Sequence, residues 1–145
     1  MTFYNMRALD SASCIESHER FISRVIADER VWYLSSEGGV ATASSEDSDG
    51  TSVLLFWSDE AYARRAMTET FPEFGVDSMD LFDFLFRWLS GMSGDGVLAG
   101  SNWTHDLIGI EKTPLELREA IEALMPQDLL HSHRMKYEAM TGGKQ

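Results

Sequence analysis

The sequence predicts an α+β domain, a small antiparallel sheet of a three-strand meander plus two short later strands with helices packed against it. Three observations carry that expectation. Apolar residues recur at helical spacing near both ends of the chain. Between them lie β-branched and aromatic runs punctuated by Gly, Ser and Asp. Helices and antiparallel strands are also segregated along the chain, which is the pattern of the α+β class. The length of 145 residues suits one core. With 43% hydrophobic and 25% charged residues, the composition is that of a globular chain, not a disordered or collagen-like one.

The first ten residues carry no clear period and read as a loose lead-in, so 1–13 is placed outside the domain. Ser13-Cys14-Ile15-Glu16 fits a capping box, with the Ser hydroxyl and the Glu carboxylate each satisfying an orphan N–H. Ile15, Phe21, Ile22, Val25 and Ile26 follow at helical spacing, giving a helix from Cys14 to about Glu29. Val31-Trp32-Tyr33-Leu34 is β-branched and aromatic and reads as a strand. Ser36 to Gly39 supplies a turn, and Val40 to Ala43 a weaker second strand. Asp49-Gly50 is a hairpin signal before a third strand, Thr51 to Trp57. That strand is too apolar for simple alternation, so both its faces should be covered.

Ser58 is placed to cap the next helix, which runs to about Thr68, with Asp59 and Glu60 at its positive end. After a loop at Phe71 to Gly75, Asp77 or Ser78 should cap a helix from Met79 to about Met92. This helix is apolar nearly all round, as expected of one deeply buried or at an interface. Gly91, Gly94 and Gly96 end it. Val97 to Gly100 and Leu107 to Ile110 read as the two later strands, around a turn at Asn102 to Asp106. Thr113-Pro114-Leu115-Glu116 is the clearest cap, a capping box with Pro at the first helical position. Its helix runs to about Met125. The domain is therefore set at 14–125, with 126–145 a C-terminal extension, helical from Gln127 to Met140 and then frayed.

Charge and composition narrow the partners. The chain holds nine Arg and three Lys against twenty-four acidic residues, for a net charge of −12. Nucleic acid is bound largely through phosphates neutralised by Lys and Arg, so direct nucleic-acid binding is not expected. No stretch approaches the roughly 20 apolar residues of a membrane span, and no secretory signal is recognisable. One cysteine forms no internal disulfide. These features together predict a cytoplasmic protein. Asn102-Trp103-Thr104 matches the glycosylation pattern and is read as chance.

Candidate chemistry is sparse. Cys14 at a predicted helix start has His18 four residues on, a thiol–base pairing that nucleophilic catalysis would use. No third group is evident to orient the histidine, and the inert reading is preferred. His131 and His133 carry metal-binding side chains, but at i, i+2 they point apart on a helix, and they read as exposed tail residues. Glu46, Asp47 and Asp49 superficially match a calcium loop without its closing Glu. No catalytic, phosphate-binding or dinucleotide motif is found. No metal, cofactor or catalytic residue is therefore assigned.

The residues also carry a resemblance. The opening helix around Phe21 and Ile22, Val31 to Leu34, the phrase Leu55 to Ala63 through Trp57 and Tyr62, and Leu81 to Leu89 followed by Asp95 to Leu98 resemble the bacterial family catalogued as domain of unknown function 2750. The resemblance spans about Ile15 to Leu124. The strand running into Ser58-Asp59-Glu60 and the late strand pair before a Pro-started helix are similar to the N-terminal domain of the SseB type, found in secretion-associated and immunity-like proteins. That type tends to show Asn-Pro where this chain has Asn102-Trp103. Neither resemblance implies an activity.

Three functional readings follow. The first is a small acidic cytoplasmic domain without catalysis that binds another, basic protein in an accessory or immunity-like role. It draws on the acidic charge and on Trp103, which stands among polar residues in a predicted turn, where an exposed Trp can anchor an interface; the preferred alternative for that ring is packing over the sheet edge. The second is a small-ligand binder or enzyme whose pocket lies near Trp57 and Trp103, with Tyr62 and Arg64 as polar contributors. The third is a homodimer with the helix Met79 to Met92 as its seam.

Overall fold

The computed structural model describes residues 2–45 and 48–141, with side chains from residue 12 onward. In chain order the elements are α1 (Thr2–Asp28), β1 (Arg30–Ser36), β2 (Gly39–Val40), β3 (Thr42–Ser44), β4 (Ser52–Phe56) and α2 (Glu60–Glu69). Then come β5 (Gly75–Asp80), α3 (Leu81–Asp83), a π-helical turn (Phe84–Trp88), α4 (Leu89–Asp95), β6 (Leu98–Ser101), β7 (Ile110–Lys112), α5 (Pro114–Leu124) and α6 (Gln127–Thr141). The fold is α+β.

In place of one small antiparallel sheet with a three-strand meander there are two sheets, which divide the meander between them, and the second is mixed. One three-stranded sheet has the order β2-β1-β5 and is antiparallel. A four-stranded sheet has the order β3-β4-β6-β7, with β4 and β6 parallel and the other pairs antiparallel. The two meet where Trp32 and Trp57 exchange backbone N–H···O bonds, each 2.8 Å. The predicted second strand is bent at buried Ala41. Its N–H donates to the Leu34 carbonyl (2.9 Å) and its carbonyl accepts from Leu55 N–H (3.3 Å), so one segment serves both sheets.

Both faces of β1 and β4 are covered, and alternation explains how. Val31, Tyr33, Leu54 and Phe56 point into one core; Trp32, Leu34, Val53, Leu55 and Trp57 point into another. The first core is closed by α1 through Phe21, Ile22 and Val25, by the Leu81–Met92 segment, and by Leu117 and Ile121 of α5. Ala63, Ala66 and Met67 of α2 close the second, with Phe71, Phe74 and Trp103. Small alanines let α2 lie close to the strands.

Several expectations need correction. Helix α1 begins at Thr2, so 2–13 is helical and not a loose lead-in, and Ser13 and Glu16 stand exposed within the helix instead of capping it. The segment Gly75–Asp80, which the sequence predicts to be loop and helix start, is strand β5, which pairs with β1 over six residues. Its Asp77, Ser78 and Asp80 disfavour a strand locally, and long-range pairing overrides them. Asp80, not Asp77 or Ser78, caps the following helix by accepting from Asp83 N–H at 2.8 Å. Met79 belongs to the strand. The last strand is Ile110–Lys112 rather than Leu107–Ile110, because Leu107 takes a left-handed φ of 64° that no strand accommodates. Ser58 does not cap α2; Asp59 occupies that position, and Ser58 is fully buried. The capping box at Thr113 and Glu116 forms as expected, with Pro114 in the first turn.

The all-round apolar helix has a simple explanation. Phe84 packs edge-on against Phe56 (4.8 Å) and Phe21 (6.2 Å), and Trp88 lies on Tyr33 and Phe56, facing the first core. On the opposite side Phe82 and Phe86 are roofed by α6, through His133 and Tyr137. Much of the face proposed as a dimer seam is thus covered by the chain's own elements. No helix among the described residues is long and apolar enough to cross a membrane.

Candidate functional site

Beside the second core, α1, the end of β4, α2 and the loop following β6 enclose a cleft of about 340 Å³. That is within the ordinary range for a small-molecule site. Trp57 and Trp103 form its floor with Asn102. Ser17 and Arg20 come from α1, Tyr62, Arg65 and Ala66 from α2, and Thr104, His105 and Asp106 from the loop.

The floor is built by hydrogen bonds between distant segments. Trp57 Nε1 donates to the Trp103 carbonyl at 2.9 Å, and Trp103 Nε1 donates to the Ile110 carbonyl at 2.8 Å. Asn102 sits at φ 52°, a left-handed conformation that Asn tolerates better than most residues. Its Oδ1 accepts from Ser58 N–H at 2.8 Å. Its Nδ2 donates to the Ser17 carbonyl at 3.2 Å and to Ser58 Oγ at 3.0 Å. One buried amide therefore ties together α1, the start of α2 and the loop. Ser58 Oγ donates in turn to Asp59 Oδ1 at 2.5 Å. Buried as it is, Asn102 presents no glycosylation site in the folded chain.

Two glycines make room for Trp103. A Cβ on Gly100 would lie 2.6 Å from Trp103 Nε1, and one on Gly109 would run into Cδ1 and lie 2.6 Å from Cγ. The indole is sandwiched between these two backbones. The loop is further closed by Thr104 N–H on the Ile108 carbonyl, Leu107 N–H on the Thr104 carbonyl, and Thr70 Oγ1 donating to the His105 carbonyl. Trp103 is only 4% exposed, so it is packed and is not an exposed interface anchor; its polar neighbours in sequence do not reveal the hole that the glycines leave.

Of the residues singled out from sequence, the fold brings Trp57, Tyr62 and Trp103 together at the cleft. Arg64 lies outside it, paired with Glu60 one turn earlier at 2.5 Å. Its neighbour Arg65 lines the cleft instead, since one residue on a helix rotates the side chain by about 100°. Arg20, Asn102 and His105 also belong to the site. Arg20 pairs with Asp59 at 3.3 Å and stands 5.5 Å from the Tyr62 ring centroid.

The other candidates lie elsewhere. His18 directs Nδ1 to Ser101 Oγ at 2.6 Å, which is a structural link between α1 and β6. Burial, and then nearby Lys112, push its pKa below the ordinary value, against Glu19. Cys14 is half-buried one turn away. His131 is exposed, but His133 is not an exposed tail residue: it is buried against Phe82 and Phe86. Among the described residues, no group of three or more His, Cys, Asp or Glu could hold a metal. Glu46 and Asp47 of the calcium-like sequence lie outside the described residues.

Comparison with curated proteins and with solved structures returned no match, and nothing found supports the similarity to the SseB type. The family match agrees with the resemblance carried by the Trp57–Tyr62 phrase and the aromatic helix. It covers residues 18–121, from the middle of α1 through most of α5, and so includes nearly all of the cleft. The chain belongs to the family described as protein of unknown function, DUF2750.

Proposed function

We propose that this domain binds a small molecule in the cleft between Trp57, Tyr62, Arg65 and Trp103. The observation that carries this reading is the preformed floor. Asn102 and Leu107 hold left-handed backbones at either end of one short loop, with φ of 52° and 64°. Strained backbone of this kind persists where surrounding structure over-determines it, and it clusters at ligand sites. The bonds from Asn102, Trp57 and Trp103 supply that over-determination. The cleft also joins aromatic walls to a few polar groups, the usual composition of a small-molecule site.

The reading as a protein-interaction module retains the net charge of −12 in its favour. It loses Trp103 as an anchor, because that ring is buried. The experiment is a fragment screen followed by nuclear magnetic resonance. Bound fragments should shift amide signals of Trp57, Tyr62, Asn102 and His105. Fragments that bind only elsewhere, or not at all, would refute the small-molecule reading.

A further inference from the structure

We infer that the cleft takes an amphiphilic anion, a small molecule whose carboxylate or phosphate is held by Arg65 and whose planar apolar part lies along Tyr62 and the tryptophan floor. This inference rests on the cleft being a ligand site. Its carrying observation is the juxtaposition of an uncommitted guanidinium with an aromatic wall in a strongly acidic chain.

The charge distribution is unusual for this protein. The chain carries twice as many acidic as basic residues, 24 against 12. Yet the cleft is lined by two arginines and a histidine, with Asp106 as its one carboxylate. Asp106 points toward His105, at 3.7 Å. The arginines differ in their commitments. Arg20 is tied to Asp59 by a single amino group and held over Tyr62. Arg64, next to Arg65 in sequence, is spent on Glu60. Arg65 makes no hydrogen bond or ion pair with the described residues.

A guanidinium is a rigid planar fork that matches a carboxylate or phosphate with two parallel bonds. Arg65 and Tyr62 are both exposed at the rim of the cleft, so the guanidinium is accessible to such a group beside the phenol ring. The exposed Tyr62 ring would stack on a planar portion of the same molecule, above the largely buried Trp57 and Trp103. The cleft volume of about 340 Å³ limits the whole to metabolite size.

The experiment titrates the intact chain with four probes, following amide signals of the cleft: phenyl phosphate, benzoate, benzyl alcohol and inorganic phosphate. It compares the unaltered protein with Arg65→Gln and Arg64→Gln, which remove the same charge one residue apart. At least one aromatic anion should bind about tenfold more tightly than benzyl alcohol. Arg65→Gln should erase that advantage and leave benzyl alcohol binding unchanged, while Arg64→Gln should leave both intact. Whichever anion binds better identifies the headgroup. Benzyl alcohol binding as tightly as both anions would overturn the inference and leave the ligand site standing. So would equal losses in the two arginine variants, or inorganic phosphate matching phenyl phosphate. If no probe moves cleft signals, the inference and the ligand-site reading both fall.

Discussion

Replacing Asn102 with alanine removes three side-chain hydrogen bonds in one step: Ser58 N–H to Oδ1, and Nδ2 to the Ser17 carbonyl and Ser58 Oγ. Each is worth about 1 kcal/mol net. Ser58 is fully buried, so its N–H is left without a partner, which adds about 1 kcal/mol or more of uncompensated desolvation. Alanine at φ 52° adds about 1 kcal/mol of left-handed strain. The expected loss is therefore about 3–5 kcal/mol, a large share of a typical domain's 5–15 kcal/mol. Urea unfolding followed by tryptophan fluorescence measures it, because Trp57 and Trp103 adjoin the altered position. A second variant, Asn102→Gly, loses the same bonds but not the backbone compatibility. It should be less destabilised than Asn102→Ala by up to about 1 kcal/mol. A loss below about 1 kcal/mol in Asn102→Ala would refute the view that this amide holds the loop against α1 and α2. A glycine variant no more stable than the alanine one would refute the strain argument alone.

The sandwich around Trp103 predicts that Gly109→Ala must displace a buried indole. The cost is about 1–3 kcal/mol, with loss of the Nε1 bond to Ile110. Unchanged stability and an unchanged Trp103 indole N–H signal would disprove the clamp. Buried His133 and half-buried His18 predict a pH dependence. Burial is the largest cause lowering the pKa of His133. Lys136 adds to it, while Glu29, Asp80 and Glu122 oppose it, and Arg118 lies over the same Phe86 ring. His133 Nδ1 also has no hydrogen-bond partner among the described residues. Below the unfolded value of 6.5 the unfolded chain takes up protons that the folded one refuses, so stability should fall with acidity until the folded pKa is passed. His133→Phe should flatten that decline, with His18 contributing the part that remains. Denaturant midpoints measured from roughly pH 7.5 to pH 5 check this, and an unchanged slope would rule out His133 as a source.

The features legible in the sequence are those made by neighbours along the chain. The Thr113–Glu116 capping box closes between residues three apart, and it formed as read. The aromatic strand at Val31–Leu34 and the hairpin turn at Asp49-Gly50 likewise depend on local conformational preference. The strand-to-helix phrase also placed Trp57 and Tyr62 near one another, since both lie on the short passage from β4 into α2. What escaped were features decided by partners far along the chain. Strand β5 exists because β1 offers it six pairing positions, against the preference of its own Asp and Ser residues. His133 is buried because Phe82 and Phe86 present a roofless apolar face about fifty residues earlier.

The cleft shows the same division at the scale of single side chains. By itself the sequence determined that an acidic α+β domain would form, with aromatic strands and capped helices, because hydrophobic period, turn chemistry and capping act over a few residues. Only the tertiary structure decided that Arg65 rather than Arg64 faces the cleft, that Asn102 is a buried tie rather than a surface turn, and that Trp103 is floor rather than anchor. Those outcomes depend on where α2 rolls against the sheet and on the space left by Gly100 and Gly109. Packing of that kind is fixed by shape complementarity between distant segments, which no local pattern encodes.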